Sequence, residues 1–145
     1  MLVLADIKAN PEHIIERLAV KGFDAKEPIA RILELDAERR SLQKANDTTA
    51  SELKKLASSI GALMKQGKKE EAEAAKARVA LLKADSADRV ARQEEAEKQI
   101  RELLLGIPNT PCADVPEGLT AADNVVVKEG GPMPRLGADA LPHWE

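Results

Sequence analysis

The chain has 145 residues, 43% hydrophobic and 32% charged, with a formal net charge of −3. Aromatic residues make up 1% of it, Phe23 and Trp144 alone, which argues against a globular enzyme with an aromatic-lined substrate pocket and for a long helical module. The single cysteine, Cys112, excludes an intramolecular disulfide and fits a reducing cytosol. Asp6, Glu12 and Glu16 interrupt what would be the apolar stretch of a signal peptide, and no run approaches the ~18–20 apolar residues of a membrane span. A soluble, cytoplasmic chain is expected.

The opening stretch, MLVLADIKANPEHIIERLAVKGF, reads as a short extended run followed by one helix. Asn10 suits the N-cap, Pro11 the first helical position and Gly22 the residue just past the end. Ile14, Ile15 and Leu18 give this helix one apolar side. It is too short to stand alone and is expected to pack on whatever follows. Residues 24–28 read as a turn, with Pro28 opening the next helix.

Residues 29–105 organise the chain around Gly67. Two charged, proline-free segments of nearly equal length flank a MKQGKK turn and can satisfy their apolar faces by folding back on each other. Leu35, Leu42, Thr49, Leu56 and Leu63 recur every seven residues, and Ile32, Arg39, Asn46, Leu53 and Ile60 interleave with them. In the second segment Ala75, Leu82, Arg89, Ala96 and Leu103 form one series, and Val79, Ser86, Gln93 and Ile100 the other. Sustained 3–4 spacing specifies a left-handed coiled-coil seam. Closure at Gly67 sets residue i opposite roughly residue 134 − i, so Asn46 and Thr49 meet the region of Ser86 and Arg89 as one polar, register-fixing layer. Helices of about 38 residues make a rod roughly 55–60 Å long at 1.5 Å per residue. This seam holds more alanine and polar residues than a typical heptad, which predicts an arm of moderate stability.

Beyond position 105 the composition turns rich in proline and glycine, which ends the helix. Val125, Val126 and Val127 read as a short strand stopped by Gly130, Gly131 and Pro132. Such a strand needs a partner, and Trp144 has nothing obvious to pack on. The chain reads as though another domain begins at its end, that is, as a fragment. The fold class is therefore all-α: a long two-helix antiparallel coiled-coil hairpin, a short N-terminal helix packed at its root, and an extended C-terminal tail. Residues 1–105 form the arm; residues 106–145 form a linker and a first strand.

The charge is unevenly spread. Across 54–83 eight basic residues face three acids, a local charge of +5; from position 106 onward two basic residues face six acids, or −4. One reading is a basic tip reaching for a polyanion. The other is a solvated coiled coil whose outer positions hold lysine and glutamate. No aromatic residue lies among these charges, so phosphate contacts and duplex shape are the expected mode of any nucleic-acid binding.

Several stretches in one order resemble the N-terminal region of bacterial-type seryl-tRNA synthetases over essentially the whole chain. IKANPEHIIERLAVKGF resembles the opening helix, ILELDAERRSLQKAN the start of the arm, and IGALMKQGKKEEAEAAK its tip. LLLGIPNTPCADVPEG resembles the exit from the arm, and DNVVVKEGG with PHWE the entry to a catalytic domain. The resemblance implies an enzyme that activates serine with ATP and magnesium and transfers it to serine tRNA, on a class II antiparallel domain following PHWE. No catalytic residue maps onto this sequence, and none is expected in this stretch. The arm would lie against the long variable arm of serine tRNA, and in the parent homodimer would guide the tRNA into the other subunit's active site.

The residues expected to contact RNA are Lys54, Lys55, Lys65, Lys68, Lys69, Lys76, Arg78 and Lys83. Arg39 and Arg89 occupy seam positions and are expected to snorkel or to pair with acids across the seam. Gly61 is a tolerated helical glycine, and Gly67 a left-handed turn residue. His13, His143 and Cys112 lack ligand spacing, so no metal site is expected, and a Cys112–His143 nucleophilic pair is rejected for want of a scaffold. A monomer without cofactor is expected for this chain. The competing reading is a structural or oligomerisation coiled coil with no nucleic-acid ligand.

Overall fold

The computed structural model describes residues 2–132, 135–137 and 139–141. His143, Trp144 and the PHWE segment lie outside the described residues. Four helices are present among them: α1 Leu4–Ala9, α2 Pro11–Ala19, α3 Lys26–Lys65 and α4 Lys69–Gly106, followed by one 3-10 turn at Ala121–Asp123. α3 and α4 run antiparallel and pack along their length.

The turn between α3 and α4 is a Schellman motif. The Lys68 N–H donates to Leu63 O (3.1 Å) and the Gly67 N–H to Met64 O (3.2 Å). Gly67 sits at φ +75°, the left-handed region where a side chain is strained. α2 ends the same way: the Gly22 N–H donates to Ala19 O (2.8 Å), the Phe23 N–H to Leu18 O (3.2 Å), and Gly22 has φ +70°. A Cβ on Gly22 would also lie 2.5 Å from Leu119 Cδ2, so this glycine serves both the cap and a close approach of the tail.

Every seam position expected along α3 and α4 is buried or half-buried. The anticipated polar layer forms in the anticipated register. Arg89 donates from Nε to Asn46 Oδ1 (3.1 Å) and from Nη2 to Thr49 Oγ1 (2.7 Å), and Ser86 Oγ approaches Asn46 Oδ1 at 3.4 Å. Thr49 donates its own hydroxyl to Ala45 O (3.0 Å), so its donor and one lone pair are both used. The partners of Arg89 are therefore neutral oxygens rather than the acids anticipated. Arg39 likewise pairs within its own helix, Nη2 to Asp36 Oδ1 at 2.8 Å, and not across the seam.

At the root, Ile7, Leu18, Ile29, Ile32, Leu35, Ile100 and Leu104 form one cluster that α1 and α2 close from the side. The extended run expected at the N-terminus is instead helix α1. Ile7 is fully buried there, Asp6 lies in its first turn and Lys8 in its last, the favourable order for the helix dipole. Lys8 Nζ also reaches Asp36 Oδ2 at 2.9 Å. Tertiary anchoring outweighs the weak propensity of a six-residue helix. α3 begins at Lys26, ahead of Pro28. The Asp24 carboxylate accepts the Lys26 N–H (3.1 Å), and Pro28 falls in the first turn, where no backbone donor is needed.

The segment after α4 is anchored further than a free linker would be. Ile107 is buried in the root cluster. Arg17 donates to Cys112 O, Lys21 Nζ to Asn109 O (2.9 Å), and the Gly118 N–H to Val20 O (3.3 Å). The strand expected at Val125, Val126 and Val127 does not form: these residues pair with no neighbouring segment among the described residues and are 64%, 72% and 89% exposed. Without a neighbouring edge to pair with, β-branched residues alone do not make a strand.

Candidate nucleic-acid interface

The two flanks of the α3/α4 seam differ chemically, and this sorts the eight basic candidates. One flank comprises the positions just before Ile32, Arg39 and Leu53 in α3 and just before Val79, Gln93 and Ile100 in α4. It is laced by three cross-helix pairs: Arg31–Gln99 (3.3 Å), Arg92–Glu38 (2.8 Å) and Arg78–Glu52 (3.3 Å). Arg78 belongs to this flank, and its charge is balanced by Glu52. Lys55 projects from the same side of α3.

The other flank comprises the positions just after Leu35, Thr49 and Leu56 in α3 and just after Ala75 and Leu82 in α4. At the root it is covered by α1, where Lys8 meets Asp36. Distally it holds Ala50 and Ala57 from α3 and Lys69, Lys76 and Lys83 from α4, all exposed. Lys54 and Gly61 lie one row outward on α3. The three α4 lysines recur every seven residues, about 10.5 Å apart along the rod. Lys76 is tied to Glu73 of its own helix (2.7 Å). Among the described residues no carboxylate lies within 4.0 Å of Lys54, Lys69 or Lys83, nor of Lys55 or Lys65. Lys65 faces outward on the back of α3, and Lys68, at the turn, pairs with Glu71 (3.2 Å).

All eight candidates are exposed, but they do not converge on one surface. Lys54, Lys69, Lys76 and Lys83 share a flank; Lys55 and Arg78 share the opposite one.

Composition and spacing left one ionic centre unmarked. Asp36, 1% exposed, is ringed by Lys8 Nζ (2.9 Å), Arg39 Nη2 (2.8 Å) and Arg40 Nε (3.1 Å). Oδ2 meets Lys8 and Arg40 as ionic neighbours rather than through well-angled hydrogen bonds. Burial pushes the Asp36 carboxyl up, but the close Lys8 ammonium, the hydrogen-bonded Arg39 guanidinium and the charges of both outweigh it, so the group titrates below its ordinary value. A period-seven reading passes over Asp36 because its decisive partner, Lys8, lies on another helix.

Among the described residues no three His, Cys, Asp or Glu side chains converge to hold a metal ion. No helix among the described residues is long and apolar enough to cross a membrane.

The geometry agrees with what comparison reveals. Residues 1–111 match the family model described as the seryl-tRNA synthetase N-terminal domain. Proteins named serine–tRNA ligase are similar: that of Salinibacter ruber is 36% identical over 145 residues, covering 100% of this chain and 34% of the relative. The Neisseria gonorrhoeae protein is 35% identical over 131 residues, covering 90% and 30%. The Synechocystis sp. protein is 33% identical over 151 residues, covering 100% and 35%. The chain thus spans about a third of the length of the curated relatives it matches. With a family match over residues 1–111 and a helical hairpin of the expected register, the chain belongs to the seryl-tRNA synthetase N-terminal domain family.

Proposed function

We propose that this chain is the tRNA-binding arm of a serine–tRNA ligase, recognising the long variable arm of serine tRNA through phosphate and shape contacts. The observation that carries the reading is the distal half of the arm, in a member of this family. It presents eight exposed basic side chains and no aromatic residue, the chemistry of a backbone reader rather than a base reader. The whole protein attaches serine to its tRNA using ATP and magnesium bound elsewhere, works in the cytoplasm, and dimerises through its catalytic domain. Residues 1–105 act as the arm, and 106–145 lead into that domain. This chain on its own is a monomer, and a stable dimer in sedimentation would refute that.

The test is binding of the chain to serine tRNA across a series of salt concentrations, beside the same tRNA with its variable arm shortened. Phosphate-led binding weakens linearly in log–log form as salt rises, and shortening the arm removes most of the affinity. Equal binding to both RNAs would refute variable-arm recognition. No binding to either would favour a purely structural coiled coil.

A further inference from the structure

We propose that the RNA backbone docks on one flank of the arm only: the flank carrying Lys54, Lys69, Lys76 and Lys83, which continues the side closed at the root by α1. The inference deepens the tRNA-binding reading and rests on it.

Three features of this flank fit one occupant, a double-stranded RNA backbone. The first is charge. Between positions 46 and 88 this flank presents the four lysines against two acids, Glu73, already held by Lys76, and Asp47, which accepts from Gln43. Over the same span the opposite flank presents Lys55 and Arg78 against Glu52, Glu71, Asp85 and Asp88, with Arg78 spent on Glu52 and Glu71 held by Lys68 at the turn. A polyanion approaching the second flank meets a net acidic surface; on the first it meets a net basic one, where no carboxylate among the described residues lies within 4.0 Å of Lys54, Lys69 or Lys83.

The second feature is shape. Between the lysines lie Ala50, Ala57 and Gly61, and a Cβ built on Gly61 would meet nothing within 4 Å. Small residues leave the helix backbones near the surface, so a rigid duplex can settle between the lysine rows while the flexible side chains reach phosphates on either side. The third is period. Lys69, Lys76 and Lys83 stand in one row at steps of about 10.5 Å, a regular ladder suited to a regular phosphate backbone and to the shape-led recognition typical of duplex RNA.

The inference is tested in the whole chain with three variants and serine tRNA. The first is K54Q/K69Q/K76Q/K83Q, the second K55Q/K65Q/R78Q as a control of the other faces. The third, A57E/A80E, adds carboxylates to the proposed flank without removing any lysine. All substituted positions are exposed, and circular dichroism verifies that each variant keeps its helices. The expected result is a loss of at least about tenfold in affinity for the first variant. Its log–log salt slope becomes shallower by about 3.6, at ~0.9 for each of four phosphates no longer neutralised. The third variant weakens binding in the same direction, and the control loses several-fold less affinity than the first. An equal loss in the control, or none in the first and third variants, overturns the one-flank assignment while wild-type binding keeps the arm reading intact. Should the wild-type chain itself fail to bind serine tRNA, the arm reading falls, and this inference with it.

Discussion

Lys8 of α1 reaches 2.9 Å across to Asp36 of α3, a carboxylate 1% exposed. Together with the burial of Ile7 in the root cluster, this contact ties the N-terminal helix to the arm. Removing one member of a buried ion pair is costly because the other charges lose their partner. The cost here is reduced, since Lys8 and Arg40 are 38% and 58% exposed and recover hydration. Asp36→Asn is expected to lower stability by roughly 2 kcal/mol, read from urea or thermal unfolding, with α1 amides exchanging faster than those of the distal arm. Unchanged α1 protection would show that Ile7 burial alone holds the helix.

The same group gives the arm an acid sensitivity. Its folded-state carboxyl lies below the ordinary value, so its stabilising effect is complete above the unfolded value, about 3.9, and disappears as pH falls through the folded value. Thermal melts between about pH 7 and 2.5 should show stability falling at the acid end, with a shallower fall in Asp36→Asn. Identical profiles would mean that other carboxylates carry the acid transition.

Most of the arm was legible because it repeats. A seven-residue period over Ile32 to Leu63 and over Ala75 to Leu103 encodes faces, and symmetric closure at Gly67 encodes register, so even the meeting of Asn46 and Thr49 with Arg89 could be read in advance. What did not repeat was hidden. α1 is six residues long and depends on burial of Ile7 and the reach of Lys8 to another helix. The tail's attachment depends on Arg17 and Lys21 finding backbone carbonyls at Cys112 and Asn109, which no pattern marks. The valines at 125–127 misled in the opposite direction: their β preference is real, but a strand exists only with an edge to pair with. For the candidate interface, sequence supplied the residue type but not the side. Lysines counted together along 54–83 divide among two flanks, the back of α3 and the turn once the seam is fixed in space.

The polar layer predicts a trade between stability and uniqueness. Arg89→Ala strands Asn46 and Thr49 without their shared donor and should cost about 1–2 kcal/mol. Replacing the whole layer with N46L/T49V/S86A/R89L should instead raise the melting temperature, because a buried polar cluster is often less favourable than apolar packing. The uniform seam then admits pairings shifted by a heptad. Cysteines placed at positions 52 and 78, in a Cys112→Ser background, should cross-link efficiently in the natural seam and poorly in the apolar one. Efficient cross-linking in both would show that the Gly67 turn alone fixes the register.

Two glycines of the arm should respond to alanine with opposite signs. Gly61 lies inside α3 with open space where a Cβ would stand, nothing within 4 Å, and no positive φ. Gly61→Ala therefore removes unfolded-chain entropy at no steric cost and should stabilise by about 1 kcal/mol. Gly67 also has open space around it, but its φ of +75° forces a side chain into the left-handed region. Gly67→Ala should destabilise by about 1–2 kcal/mol, and local amide exchange should quicken at Leu63 to Lys69 as the Schellman turn loosens. Because space is available at both sites, the sign of each change isolates backbone conformation from packing. A destabilised Gly61→Ala would mean that the distal arm is already strained along its helical backbone, and the moderate stability inferred from its alanine-rich seam would then have a second cause.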